Sequence, residues 1–211
     1  MEPADLIVLI REAFAATAHP GDGFLQGSRE GEDAFAAVEP FRGIGDWEAM
    51  EPSELDRNYD ALSFLSEGGF RYFLPAYLVA DINGELETAD AVFHLAGGFE
   101  DASVELPIGG KVYRRKIGKS AFVNPRRYGA MTFEDYARFR LSVFSREEAG
   151  AIVAYLEYRR DLPDALDAEA INAALDGFWR SRAAGAPAQP DLAAHLEAER
   201  EFMDEVGGTG V

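Results

Sequence analysis

The sequence predicts a mainly α fold: a single-domain helical bundle around one central buried helix at about 67–82, with one small β-hairpin outside it. Three observations carry this. Residues 61–82, ALSFLSEGGFRYFLPAYLVADI, form the longest stretch that is both apolar and aromatic. Elsewhere, apolar residues recur at the three- and four-residue steps of one helical face. The only strand-like runs flank Gly109-Gly110 and do not alternate cleanly, which argues against a sheet core.

The central helix has a start, a buried face and a stop. Ser66 is placed to cap it by accepting from a free first-turn N–H, and Glu67 suits the positive end of the helix dipole. Phe70, Phe73, Leu74, Tyr77, Leu78 and Asp81 then share one face, while Tyr72, Ala76, Val79 and Ile82 spread the apolar surface round the cylinder. Pro75 lacks an N–H and crowds the preceding turn, so it predicts a kink or a helix starting just before it. Asn83-Gly84 supplies the stop. Arg71 and Asp81 leave this run too charged and too short to cross a bilayer.

The first helix is expected from Pro3 to Thr17, on the spacing of Leu6, Ile10, Ala13 and Phe14, and His19-Pro20-Gly21 ends it. A short helix over 33–41, a turn at Gly43–Asp46 with Trp47 as a packing anchor, and a helical turn over 53–58 follow. Residues 89–96 suggest another short helix. Val104–Ile108 and Lys111–Ile117 form the arms of the hairpin, and Pro107 restricts the first arm to an edge. The last third is helical: 132–143 capped by Thr132, 145–160 opened by a Ser145/Glu148 capping box, and 167–183 with Ile171, Leu175, Phe178 and Trp179 at core spacing. The domain spans 4–183, residues 184–190 read as a linker, 191–206 as an appended amphipathic helix, and 207–211 as a disordered tail.

Composition narrows the function. The 211 residues include no cysteine, which removes disulfides, thiolate metal ligands and a thiol nucleophile. The acidic N-terminus does not resemble a signal peptide, so a cytoplasmic protein is expected. A net charge of −18 speaks against nucleic acid, and no membrane contact is expected. The charge is uneven: residues 111–160 hold 12 bases and 5 acids, whereas residues 1–110 hold 5 bases and 22 acids.

Catalytic motifs are missing. There is no P-loop, no zinc-binding histidine pair and no nucleophile elbow, and His19, His94 and His195 lie in different elements. No cofactor and no metal site are expected. Two stretches rise above this background. Asn124, Arg126, Arg127 and Tyr128 form a turn with two adjacent guanidinium groups and a phenol, and Tyr158, Arg159 and Arg160 close a helix. Such groups can grip a phosphate or carboxylate bidentately, or can tie the fold together through Asp161 or Asp81. Arg71, Tyr77, Asp81 and His94 are further candidates, with His94 more in the style of a core histidine.

The ordered segments LIVLIREAF, HPGDGFL, FRGIGDW, the central helix, AVFHL, NPRRYG and AIVAYLEYRRD resemble an uncharacterised bacterial family known as a domain of unknown function, DUF6714-like. The resemblance runs over roughly residues 4 to 183, and the hairpin and the helix after Pro190 fit it less well. It implies a stand-alone domain and brings no activity, cofactor or catalytic residue with it.

The leading expectation is a non-enzymatic acidic interaction or regulatory protein, an immunity-like binder, whose surface charge steers a basic protein partner to it. The alternative is a binder or enzyme for a small anionic ligand that uses the Arg/Tyr cluster. A third expectation is homo-oligomerisation through the apolar stripe of 191–206.

Overall fold

The computed structural model describes residues 1–27, 31–118, 120–124, 129–163, 165–186 and 189–208. It is mainly α. The helices are α1 (Pro3–Phe14), α2 (Gly31–Val38), α3 (Pro52–Arg57), α4 (Ala61–Phe64), α5 (Glu67–Ile82), α6 (Ala91–Ala96), α7 (Phe133–Leu141), α8 (Arg146–Arg160), α9 (Ala168–Ala174), α10 (Arg180–Gly185) and α11 (Gln189–Gly208). Strands β1 (Ala102–Ile108) and β2 (Lys111–Gly118) form the expected hairpin.

Helix α5 is the centre of the packing. Of its 16 residues, 13 are buried, so it touches protein on every side. Ser66 caps it as its position suggested, its Oγ accepting from the Gly69 N–H at 2.9 Å, a contact of about 1 kcal/mol in this class. Pro75 lies inside the helix rather than at its start. Gly69 lets the chain come close: a Cβ there would stand 2.9 Å from the Leu25 carbonyl oxygen. The chain on the other side of that approach is tied down by Ser66 N–H to Leu25 O and Gly27 N–H to Phe64 O, both at 2.7 Å.

Aromatic rings fill the space around α5. Phe70 meets Phe144 edge to face at 5.9 Å, and Phe73 meets Phe41 in the same way at 5.0 Å. Trp179 is fully buried and its indole N–H donates to the Leu95 carbonyl at 2.8 Å. It sits on a single wider π turn, Leu175–Trp179, that joins α9 to α10. The predicted helix over 167–183 is therefore present with one extra residue in a turn.

Both predicted capping boxes form, at Thr132/Asp135 and Ser145/Glu148. Two features go beyond the sequence reading. A second antiparallel pair, β3 (Ala121–Asn124) with β4 (Gly129–Thr132), precedes α7; its strands of four residues are too short for a period to show. At the ends of the predicted linker 184–190, α10 reaches Gly185 and α11 opens at Gln189, while residues 187 and 188 lie outside the described residues. Helix α11 lies along the chain's own body: Leu192 is buried and Leu196 packs against the core.

Among the described residues no helix is long and apolar enough to cross a membrane.

Candidate functional site

The charged candidates of the helical body fall into two clusters. In the first, α5 and α8 run past each other so that Asp81 meets Tyr155 and Arg159. The Tyr155 hydroxyl donates to Asp81 Oδ2 at 2.7 Å, and Arg159 Nη1 donates to the other carboxylate oxygen. Burial pushes the Tyr155 phenol well above its usual range, and the Asp81 charge pushes it further. Burial works against the Arg159 charge, but the hydrogen bond to Asp81 outweighs it, with Tyr155 and Asp90 adding to the effect, so its affinity for the proton is raised. A phenol and a guanidinium held in this way keep their protons and serve as fixed donors. The cluster pins α5 to α8.

Arg160 turns away from this pair and donates from Nε to Asp161 at 2.8 Å. Tyr158 is half-buried and packs on the core. Arg159 borders a cleft of about 390 Å³ that Val92, Leu162 and Ile171 line.

The second cluster surrounds Glu148, a carboxylate with only 1% of its surface exposed. Arg71 Nε reaches both of its oxygens, at 3.0 and 2.9 Å, and the Ser145 N–H donates at 2.7 Å to complete the capping box. The Thr17 hydroxyl donates as well. Nearby, Arg182 spends its guanidinium on the Phe144 and Ser142 carbonyls at the end of α7. Burial lowers Arg182 to about 10, a shift that Glu148 opposes and Arg71 reinforces. One buried carboxylate thus gathers the residues after α1, the second turn of α5 and the start of α8.

Tyr77 and His94 are equally committed. Tyr77 is fully buried, donates to the Asn58 carbonyl at 3.2 Å, and is raised by burial first and by Asp60 and Asp56 after it. His94 is half-buried beside Phe70 and Phe93, and burial together with Arg140 lowers it to about 3. It is a neutral imidazole at neutral pH. Asn124 closes β3 opposite Gly129. Arg126, Arg127 and Tyr128 lie outside the described residues. The structure therefore brings Arg159 to Asp81, Arg160 to Asp161 and Arg71 to Glu148, and does not gather Tyr158, Arg159 and Arg160 round a common point.

A cleft of about 300 Å³ opens at the start of α5, where Ser66, Arg71, His19, Leu196, Glu199 and Arg200 meet. Glu199 is buried and its Oε1 accepts from the Glu67 N–H at 3.1 Å, a carboxylate on the positive end of α5. The His19 Nδ1 accepts from the Gly21 N–H at 3.0 Å, and its ring stands edge-on to Tyr72 at 4.8 Å. Sequence reasoning passed over Glu199 and Thr17 because their partners lie more than 130 positions away. No local spacing could have found them.

No set of three potential metal ligands occurs among the described residues.

Residues 2–104 match the model of DUF6714, a family of unknown function. The DUF6714 segment takes in α1 to α6, including the whole of the central helix, and ends inside β1. The match ends before NPRRYG, α8 and the strand β2, and so covers the first half of the chain. No curated protein and no solved structure matches the chain.

Proposed function

We propose that this chain is a non-enzymatic interaction protein, an acidic regulatory or immunity-like binder whose partner presents a basic surface. The observation that carries the reading is the fate of the cationic candidates. Arg71, Arg159 and Arg160 are each spent on a carboxylate of the same chain. Cations used in this way do not offer a site to an anionic substrate. The acids outnumber the bases by 18, and a surplus of that size draws in a basic partner from beyond contact distance.

The phenols and imidazole add to this. Tyr77 and Tyr155 have raised pKa values and His94 a lowered one, so none exchanges a proton near pH 7. General acid–base catalysis needs a group that does so.

The test is a crosslinking pulldown from native lysate at low salt, followed by association kinetics with any stoichiometric partner. The expected partner has a basic contact surface, and its association rate falls about tenfold or more between about 0.01 and 0.15 M salt. A partner whose association rate is indifferent to salt, or recovery of none at stoichiometric level, would sink the reading.

A further inference from the structure

The hairpin β1–β2 has a composition opposite to that of the body that carries it. Residues 102–118 hold four bases, Lys111, Arg114, Arg115 and Lys116, against one acid, Glu105. The apolar residues are also misplaced for a structural role: Val104, Leu106, Ile108, Val112, Tyr113 and Ile117 are exposed by 39 to 64%.

The register shows how these residues are sorted. Ile108 pairs with Lys111 across Gly109 and Gly110, whose φ values of 60° and 79° match a two-residue type I′ turn. Directly paired residues share a face. One face therefore carries Val104, Leu106, Ile108 and Tyr113 with Lys111 and Arg115, and the register shifts beyond Ser103, leaving Ile117 unpaired. The other carries Ser103, Glu105 and Pro107 with Val112, Arg114 and Lys116.

The same register sets the direction of the backbone groups. The pair flanking a two-residue turn exchanges both hydrogen bonds, and the pattern alternates from there. Ile108, Leu106 and Val104 thus bond inward to β2, while Val112, Arg114 and Lys116 turn their N–H and C=O groups outward. No strand pairs with that outer edge of β2 among the described residues. On β1 the outward position 107 is proline, which has no N–H to offer. The hairpin has one blunted edge and one open edge.

We propose that the open edge of β2 takes an extended acidic segment of a partner protein by strand addition. The backbone of the segment fills the outward groups of Val112, Arg114 and Lys116. Its side chains alternate, carboxylates lying beside Arg114 and, in competition with the exposed 3.6 Å ion pair to Glu169, beside Lys116, with apolar groups beside Tyr113. A second copy joined β2 to β2 would set these bases against one another, which like charges disfavour. Nucleic acid has no peptide N–H and C=O groups with which to extend the ladder. This surface is distinct from the acidic one assigned to a basic partner, and either reading can fail alone.

The experiment measures fluorescence anisotropy of a labelled peptide alternating Val and Glu against the full chain, with an alternating Val and Lys peptide and a single-stranded oligonucleotide as comparisons. Val112→Pro removes one outward N–H without changing charge or an inward hydrogen bond, and Val112→Ala controls for the lost side chain. The expected result is binding of the Val/Glu peptide alone, unchanged melting temperature in both variants, and a loss of about tenfold or more for Val112→Pro against a small loss for Val112→Ala. Amide shifts on binding should centre on Val112, Arg114 and Lys116. Equal binding of the Val/Lys peptide, preference for the oligonucleotide, no binding, or a Val112→Pro affinity equal to that of Val112→Ala would each overturn the proposal. So would a concentration-dependent dimer that Val112→Pro abolishes, since it would assign the edge to a second copy.

Discussion

Replacing Arg71 with methionine is expected to lower the unfolding free energy by about 3–5 kcal/mol, the cost of leaving a buried carboxylate without its cation. Glu148 has 2% and Arg71 13% of the side chain exposed, so water can do little to replace the lost guanidinium. The Thr17 and Ser145 donors remain but are neutral, and the nearby Arg182 guanidinium is held by the Phe144 and Ser142 carbonyls. The effect should be specific to the charge. Arg71→Met combined with Glu148→Gln removes the stranded anion while glutamine keeps an acceptor for the Ser145 N–H. The double variant should therefore lose less than the sum of the two single ones, with a coupling of about 1–3 kcal/mol. Urea unfolding of the four proteins measures it. Additive losses would show that Arg71 and Glu148 do not depend on each other, and the knot around Glu148 would be wrong.

Acid is expected to destabilise the protein through His94. Its imidazole is lowered to about 3 by burial, with Arg140 adding to the effect. In the unfolded chain the group takes up a proton near pH 6.5. The unfolded state therefore binds more protons between these two values, and stability falls as the pH drops from about 6.5 towards 3. Above about 6.5 the two states bind equally and the contribution is complete. One proton gives a slope of about 1.4 kcal/mol per pH unit, or roughly 2–3 kcal/mol by about pH 4.5. Surface carboxylates titrate in the lower part of the same window, so the readout is a difference. His94→Gln should flatten the stability profile between pH 6.5 and 4.5 by that slope, whatever its offset at neutral pH. Parallel profiles for the wild type and His94→Gln would show that the imidazole is not held neutral.

Much of the architecture was legible because it is written locally. Ser66, Thr132 and Ser145 each stand where a side-chain oxygen can reach an N–H three residues on, and each does so. Gly109-Gly110 is a turn that needs positive φ twice, and sequence alone places it. What could not be read depends on distance along the chain. Arg71 finds Glu148 77 positions away, and Glu67 finds Glu199 132 positions away. A sequence shows that an arginine sits on a helix, not which of 38 acids will face it. The pairing of β3 with β4 was hidden for another reason: four-residue strands are too short for a period to appear. The α9–α10 π turn was hidden because one added residue leaves the apolar spacing of Ile171, Leu175 and Phe178 almost unchanged.

The candidate cations separated in the same way. Asp81 and Asp161 were foreseeable as structural partners of the α8 terminus, and Arg159 and Arg160 take them. The conflict between a grip on a ligand and a brace for the fold is a matter of three-dimensional neighbours, and in the described part of the chain the brace accounts for each guanidinium named. The predicted turn at Arg126, Arg127 and Tyr128 lies outside the described residues.

That turn decides which measurement comes first. The central claim is that the chain binds a protein partner and not a small anion. A thermal-shift screen of the purified protein against nucleotides, phosphorylated metabolites, dicarboxylates and divalent metals tests it, because a ligand that prefers the native state raises the melting temperature by mass action. A flat screen is the predicted result. A rise that grows with ligand concentration and disappears in Arg126→Ala would contradict the account and make the Arg/Tyr turn a small-molecule site.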